Sequence, residues 1–477
     1  MGLKTTILGA GPGGYVAAVR AAQLGADVTI VEDDNVGGTC LNWGCIPSKI
    51  LKATADRLVD IRHAGLFGID ADPQPTLNMP ALTDRKARVI EVQRKGIEAL
   101  FKHHSVRHLK GRGTIAAAGQ VKVDGPEGHV ADVDYDRLIL ATGSRPMELP
   151  AFPYDGKSII SSNEALYLDE IPGSVVIVGG GVIGCEFASI LAAFGSKVIV
   201  VEALDRLLPL PAVDADCSKV LAREMKKRKI AFYVNHTVET VESTGGQLKV
   251  QIGPSPFAEN LKASDKQPLE VEADQVLVCV GRTPNTGEIG LENIGVATDQ
   301  RGWIVADERM QTNVDGVYAI GDVLGPAKIM LAHVASSEGL VAAENAVGGD
   351  CRMDYTAVPG AVFTVPEVGN VGLSEAQARE SGMNVRADTV HFRTIGKAQV
   401  IGEIAGQAKI VSAVDNGRIL GVHIIGPHAS DLIAEGTLAI QNGLTVEQLV
   451  GTIHAHPTLA EIMLETGLKA LDRGLHG

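Results

Sequence analysis

The chain has 477 residues, 45% of them hydrophobic, and a formal net charge of −14. That supplies apolar material for several cores, so neither disorder nor unspecific nucleic-acid binding is expected. Aromatic residues are only 4%, without the basic interleaving of single-strand binders, and no apolar run approaches a membrane span.

The N-terminal run Thr5-Thr6-Ile7-Leu8 goes directly into glycines, without a signal-peptide pattern. Of six cysteines only Cys40 and Cys45 are close in sequence, which points to a reducing, cytoplasmic setting with one specialised pair. Gly9-Ala10-Gly11-Pro12-Gly13-Gly14 follows the first strand and opens a helix with Val16, Ala17, Ala21 and Leu24 on its apolar face. A second strand, Val28-Thr29-Ile30-Val31, ends at Glu32. Gly9, Gly11 and Gly14 suit a tight turn and a close backbone approach to a pyrophosphate, and Glu32 is placed for ribose hydroxyls.

The next stretch is Gly37-Gly38-Thr39-Cys40-Leu41-Asn42-Trp43-Gly44-Cys45-Ile46-Pro47-Ser48-Lys49. Residues five apart in a uniform helix have Cα atoms roughly 8–9 Å apart, whereas a disulfide needs about 7 Å or less. If the two cysteines pair, the backbone between them is not regular helix. Gly44 permits a break, and Pro47 suits the first turn of a following helix, whose start would favour a thiolate. Two buried structural cysteines are the plain alternative.

The string GGTCLNWGCIPSK resembles the active-site segment of the flavoprotein disulfide reductases, and later motifs extend the resemblance over nearly the whole chain. It implies a redox-active Cys40–Cys45 disulfide beside FAD, with Thr39 and Lys49 lining the flavin. Cys40 would meet the substrate, and Cys45 would face the flavin as the thiolate.

A polar helix is expected from Asp84 to His104, then strand-like pieces at 113–115 and 119–123. The buried strand Arg137-Leu138-Ile139-Leu140 breaks at Ala141-Thr142-Gly143, and it resembles the point where the family's chain leaves the FAD domain through Thr142 and Gly143. The design then repeats. Val175-Val176-Ile177-Val178 leads into Gly179, Gly181 and Gly184, a helix through Phe187, Ile190 and Leu191, and a strand ending at Glu202. Gly184 and Glu202 are spaced as Gly14 and Glu32 are, which points to a second nucleotide. A carboxylate at 202 favours NAD over NADP, since it would repel a 2′-phosphate. Ala203, Leu204 and Asp205 follow it, and Arg206 is the only nearby cation.

The strand 274–280 closes this unit at Gly281, with Cys279 read as a buried small hydrophobe. By resemblance, Asp322 in Ala319-Ile320-Gly321-Asp322 binds the ribityl chain. Met330, Leu331, Ala332 and His333 open a helix whose amides face the flavin. From about Asp350 the glycine signatures stop, alternating strands follow, and the last constellation is His454-Ala455-His456-Pro457-Thr458-Leu459-Ala460-Glu461. H-x-H hints at a metal, but no further nearby Cys or His completes a zinc set. The family reading makes His456 the acid/base, oriented by Glu461, with a cis bond to Pro457. Lys49 would pair with Glu186.

The expected fold is α/β, with two Rossmann-like nucleotide-binding domains and a C-terminal α+β dimerisation domain. The expected domains are 1–146 for FAD, 147–282 for NAD, 283–349 completing the FAD site, and 350–477 as the interface. The resemblance implies a homodimer oxidising protein-bound dihydrolipoamide. Electrons would pass through the disulfide and FAD to NAD+, and the partners would be lipoyl domains of 2-oxo acid dehydrogenase complexes or the glycine cleavage system. The alternative is an NAD(P)H-dependent reductase of another small disulfide, or a diaphorase-type flavoprotein.

Overall fold

The computed structural model describes residues 2–72, 74–244, 246–259 and 267–476. The chain forms two compact units. The first comprises Met1–Leu51, Asn78–Met147 and Gly281–Asp354, and the second Lys52–Leu77, Glu148–Val280 and Tyr355–Gly477.

The first unit is built on a five-stranded parallel sheet in the order Val317–Ala319, Arg137–Leu140, Lys4–Leu8, Asp27–Glu32, Arg107–Lys110. Ile7, Leu8, Ile30, Val31, Ile139 and Leu140 are fully or almost fully buried, which is why these strands read as continuous apolar runs instead of alternating ones. Helix Pro12–Gln23 buries Gly13, Gly14, Ala17, Ala18 and Ala21. Its partner, helix Ala332–Ala346, buries Gly339, Ala342, Ala343 and Ala346. A methyl group on Gly339 would lie 2.5 Å from the Gly13 carbonyl oxygen, so small side chains set this helix–helix spacing. Helix Met79–His103 covers the sheet with Ile90, Ile97 and Phe101. A three-stranded antiparallel sheet (Arg112–Ala117, Gln120–Gly125, Gly128–Asp134) and the paired strands Ser144–Pro146 and Arg282–Pro284 complete the unit.

The second unit holds another five-stranded parallel sheet, ordered Ala231–Val234, Lys197–Glu202, Ser174–Val178, Gln275–Val278, Ile159–Ile160. It also holds a five-stranded antiparallel sheet, ordered Gly360–Val362, Glu367–Gly372, Ile419–Gly426, Gln407–Ala413, Val385–His391. Helices Ala429–Gln441 and Glu461–Ala470 pack on this sheet through Ile433, Ala439, Ile440, Ile462 and Met463. Lys409, with a side chain 5% exposed, leaves its strand to meet Asp214 at 2.9 Å, Asp216, and Glu375 at 3.3 Å. Among the described residues, no helix is long and apolar enough to cross a membrane.

Candidate active site

The two glycine-rich turns are near-copies at atomic level. Gly9 and Gly179 sit at φ +100° and +104°, a left-handed region open to glycine. A Cβ on Gly14 would lie 1.9 Å from the Gly9 oxygen, and one on Gly184 1.9 Å from the Gly179 oxygen. The third glycine of each motif therefore lets helix and strand touch. At Gly181 a Cβ would meet nothing within 4 Å, and at Gly11 only the Gly38 Cα at 3.8 Å. These helix starts face open space, as a pyrophosphate requires.

The acid after each second strand behaves alike too. Glu32 accepts from the Ala10 N–H at 2.7 Å and the Asp34 N–H at 2.9 Å. Glu202 accepts from Gly180 at 2.6 Å and Leu204 at 2.8 Å. Burial pushes the Glu32 carboxyl up to about 7 against those two amides. Arg206 donates to the Val213 and Leu210 carbonyls and to Ser218 Oγ. Arg206, the cation that follows Glu202 in sequence, is thus committed to its own loop and to the start of the next helix.

The first cradle is furnished beyond its glycines. Thr142 Oγ1 is buried without a hydrogen-bond partner, beside Gly143 at φ +69°. Asp322 accepts from Ser144 Oγ at 2.6 Å, and Ser144 Oγ accepts from Arg282 Nε at 2.6 Å. Arg282 lies 3.5 Å from the same carboxylate. Met330 and Leu331 precede helix Ala332–Ala346, with Leu331 at its N-cap and His333 exposed on its first turn. An orphaned hydroxyl, open helix amides and a held carboxylate fit a dinucleotide cofactor.

The cysteine segment breaks where the pairing argument requires. Cys40 lies in the short helix Gly38–Asn42 and Cys45 begins helix Cys45–Arg62, with Trp43 and Gly44 between. Asn42, 1% exposed, pins the break by donating to the Gly38 carbonyl at 2.9 Å and accepting from Arg94 Nε at 2.7 Å. Cys40 is half-buried and Cys45 exposed, and the two side chains share a hydrogen bond. That bond, then burial and the charge on Cys45, push the Cys40 thiol up, while Lys49 pulls it down. Burial lowers the Arg282 pKa, opposed by Asp322 and Cys45, so this guanidinium senses the dithiol. Residue-type reasoning passed over Arg282 and Ser144; an arginine directly after a buried strand and Gly281 was the available signal.

In the second unit, Glu186 is buried on helix Val182–Phe194 and accepts from the Phe363 N–H at 2.9 Å. Gly281, in the first unit, has φ +133°. Cys279, expected as a buried small hydrophobe, is only half-buried, and burial pushes its thiol up to about 12. The His456–Pro457 bond is cis, as is Val365–Pro366, which sequence reasoning did not mark. His456, with a side chain 76% exposed, donates through Nδ1 to Glu461 Oε1 at 2.8 Å. The second oxygen of Glu461 accepts from the Thr458 N–H at 2.9 Å. Burial opposes ionisation of Glu461, yet the bonds from His456 and Thr458 outweigh it and hold the carboxyl below its ordinary value.

Two dinucleotide cradles, a proton-sharing thiol pair and an imidazole held by a carboxylate equip a molecule to move electron pairs between thiols and nucleotides. That is the chemistry of a thiol–disulfide oxidoreductase. Residues 3–339 match the pyridine nucleotide-disulphide oxidoreductase model and residues 358–466 match that family's dimerisation domain. The chain belongs to the pyridine nucleotide-disulphide oxidoreductase family.

Among curated relatives, a dihydrolipoyl dehydrogenase of Chlamydia muridarum is 43% identical over 472 residues, covering 98% of this chain and 97% of the relative. One from Geobacillus stearothermophilus is 40% identical, covering 99% and 97%. Among solved structures, LpdA from Mycobacterium tuberculosis superposes with a TM-score of 0.89 at 28% identity, covering 98% and 99%. The HOCl-induced flavoprotein disulfide reductase RclA of Escherichia coli scores 0.83 at 26% identity, covering 97% and 99%.

Proposed function

We propose that the protein oxidises protein-bound dihydrolipoamide to lipoamide and reduces NAD+ to NADH, as a dihydrolipoyl dehydrogenase. The observation that carries this reading is the full-length relationship to enzymes of that name, at up to 43% identity, in a chain that retains the cysteine pair and the His456–Glu461 dyad. NAD+ is a substrate that enters and leaves, which corrects its expected role as a resident cofactor. FAD, held by the first cradle through Gly9, Gly11, Gly14, Glu32, Thr39, Lys49, Thr142, Gly143, Asp322 and the helix start at 330–333, supplies the two-electron link between the dithiol and the nicotinamide.

With Nδ1 bonded to Glu461, His456 accepts a proton at Nε2 from one substrate thiol. The thiolate attacks the Cys40 sulfur, the Cys40–Cys45 bond breaks, and Cys45 departs as the thiolate. The second substrate thiol displaces Cys40 from the mixed disulfide, its proton passing to the departing Cys40 sulfur while the first stays on His456. Lipoamide leaves with its S–S bond closed, Cys40 as the thiol and Cys45 as the thiolate. The upward push on the Cys40 thiol, led by its hydrogen bond with Cys45, supports that division. The released proton matches the one produced with NADH.

On the nucleotide side, Gly179, Gly181, Gly184 and Gly281 shape the NAD+ cradle, and Glu202 selects a free 2′-hydroxyl. The role of Arg206 within its own loop supports NAD+ over the NADP+ expected of a glutathione-type reductase. Lys49 and Glu186 carry assisting roles near the flavin. We assign 1–146 and 283–349 to FAD, 147–282 to NAD+ and 350–477 to a homodimer interface, with His456 serving the partner's disulfide. The macromolecular substrate is a lipoyl domain of a 2-oxo acid dehydrogenase complex or the glycine cleavage system, in the cytoplasm.

The decisive assay is NADH formation from dihydrolipoamide, with Cys40→Ser, Cys45→Ser and His456→Ala as comparisons. Turnover by all three variants at the wild-type rate refutes the mechanism. Wild-type protein that prefers NADPH and glutathione disulfide refutes the substrate.

A further inference from the structure

The H-x-H motif holds a second imidazole–carboxylate pair, buried where the first is exposed. His454 Nδ1 faces the Thr452 carbonyl oxygen at 2.9 Å and Nε2 faces Glu435 Oε1 at 2.8 Å. Its side chain is 4% exposed, against 76% for His456. A carbonyl and a carboxylate only accept, so each ring nitrogen of His454 must donate. Against an ionised Glu435 on helix Ala429–Gln441 the ring carries both protons, and the pair has no net charge. A bridging role to metal does not fit, because both nitrogens are spent and no group of His, Cys, Asp and Glu suited to a metal occurs among the described residues.

The pair lies in the loop that carries the base. Thr452 Oγ1 donates to the Gln448 carbonyl at 3.2 Å, His454 ties the loop to Glu435, and Thr458 Oγ1 donates to the Ala455 carbonyl at 2.7 Å. His456 thus leaves a segment fastened on both sides, with Ile453 between the fastenings 97% exposed. The charged groups shown to face His454 are Glu435 on helix Ala429–Gln441 and Glu461 at the start of helix Glu461–Ala470, which His456 also bonds. His454 is one of the charges that hold Glu461 ionised, after the direct bonds from His456 and Thr458.

We propose that His454 and Glu435 form a positioning pair for His456, a charge-balanced clamp on a buried imidazole that fixes the loop and keeps the electrostatic setting of the His456–Glu461 dyad neutral. The proposal rests on His456 being the base. It predicts an effect that depends on charge balance and not on side-chain removal alone. His454→Gln leaves the Glu435 carboxylate uncompensated, which stabilises protonated His456. Glu435→Gln lets its amide donate to a neutral His454, so the pair's net charge does not change. The double variant H454Q/E435Q is likewise neutral.

The test compares the acid limb of kcat/KM for dihydrolipoamide with the 15N titration of the His456 ring in the intact flavoprotein. His454→Gln should move both upward by about half a pH unit or more, and adding Glu435→Gln should return them to the wild-type position. Limbs that coincide in all the variants, whatever their rates, overturn the proposal by reducing the pair to a structural brace. The wild-type protein supplies a second measurement that needs no variant to fold. Each His454 ring nitrogen should donate to its acceptor, giving two ring N–H signals at pH 7, and a neutral tautomer there overturns the proposal. His456→Ala separates the two readings. Full turnover in that variant defeats the proposed base, whereas an inactive His456→Ala beside unmoved His454 limbs defeats only the clamp.

Discussion

Alanine at Gly181 and alanine at Gly184 should fail in opposite ways, although only two residues separate them. The Gly184 Cβ would lie 1.9 Å from the Gly179 oxygen and 3.1 Å from its carbon. A carbon–oxygen contact needs roughly 3.3 Å, so about 1.4 Å must be found by parting strand from helix. The obstructing atoms are backbone and cannot rotate away, and overpacking of this kind costs about 1–3 kcal/mol, sometimes more. Gly181 has φ −73° and ψ −167° and meets nothing within 4 Å. Alanine there adopts the native backbone freely and should raise stability slightly, by about 0.4–1 kcal/mol, through the unfolded chain. Its methyl group instead occupies space the NAD+ pyrophosphate needs. Losing one charge-assisted hydrogen bond, at about 1.5–3 kcal/mol, weakens binding roughly 10- to 100-fold. Thermal melts combined with NAD+ titration and steady-state KM resolve the two. Gly181→Ala should keep its melting temperature and its kcat at saturating NAD+ while KM rises, and Gly184→Ala should lose melting temperature first. Wild-type NAD+ affinity in Gly181→Ala, or an unchanged melt in Gly184→Ala, refutes the argument.

Glu202→Ala should raise KM for NAD+ about tenfold or more, from the lost charge-assisted bonds, and narrow the preference over NADP+. Equal wild-type efficiency with both nucleotides refutes the selection argument. Lys409→Met strands Asp214, also 5% exposed, and should cost about 3–5 kcal/mol in denaturant melts at pH 7. In the wild type, burial raises the Asp214 and Asp216 pKa values, but the bonds to Lys409 outweigh it and leave both lowered. Their stabilisation is therefore present above the unfolded carboxylate pKa and lost as pH falls through the folded values. The Lys409→Met deficit should shrink as pH falls below about 4, through the lowered folded values, and a deficit independent of pH contradicts the ion-pair origin. In mixed dimers of Cys45→Ser with His456→Ala subunits, one composite site collects both lesions and the other none, so about half the activity should return by two-fold symmetry. A hybrid that stays inactive refutes a base acting on the partner's disulfide.

What the sequence determined by itself was mostly local. The glycine turns, the acids Glu32 and Glu202, the helix break between Cys40 and Cys45, and the His456–Glu461 spacing were legible because each is set by backbone demands within a few dozen residues. A turn at positive φ, a helix start or a five-residue reach prints directly onto residue type and spacing. The family resemblance of GGTCLNWGCIPSK added the chemistry to that geometry. Tertiary structure alone decided the rest. Ser144, Arg282 and Asp322 meet across 138 to 178 positions of sequence, and Lys409 meets Asp214 across 195. Glu435 gives His454 a carboxylate from a different helix, turning half of an apparent metal motif into a buried clamp. Thr142 was marked only by resemblance, through Ala141-Thr142-Gly143, and the burial of its hydroxyl without a partner belongs to the tertiary structure. Charge and hydrogen-bond complementarity leave no periodicity in the chain. Partners far apart in sequence are chosen by where the sheets and helices bring them, and the cost of burying an unmatched charge makes that choice binding.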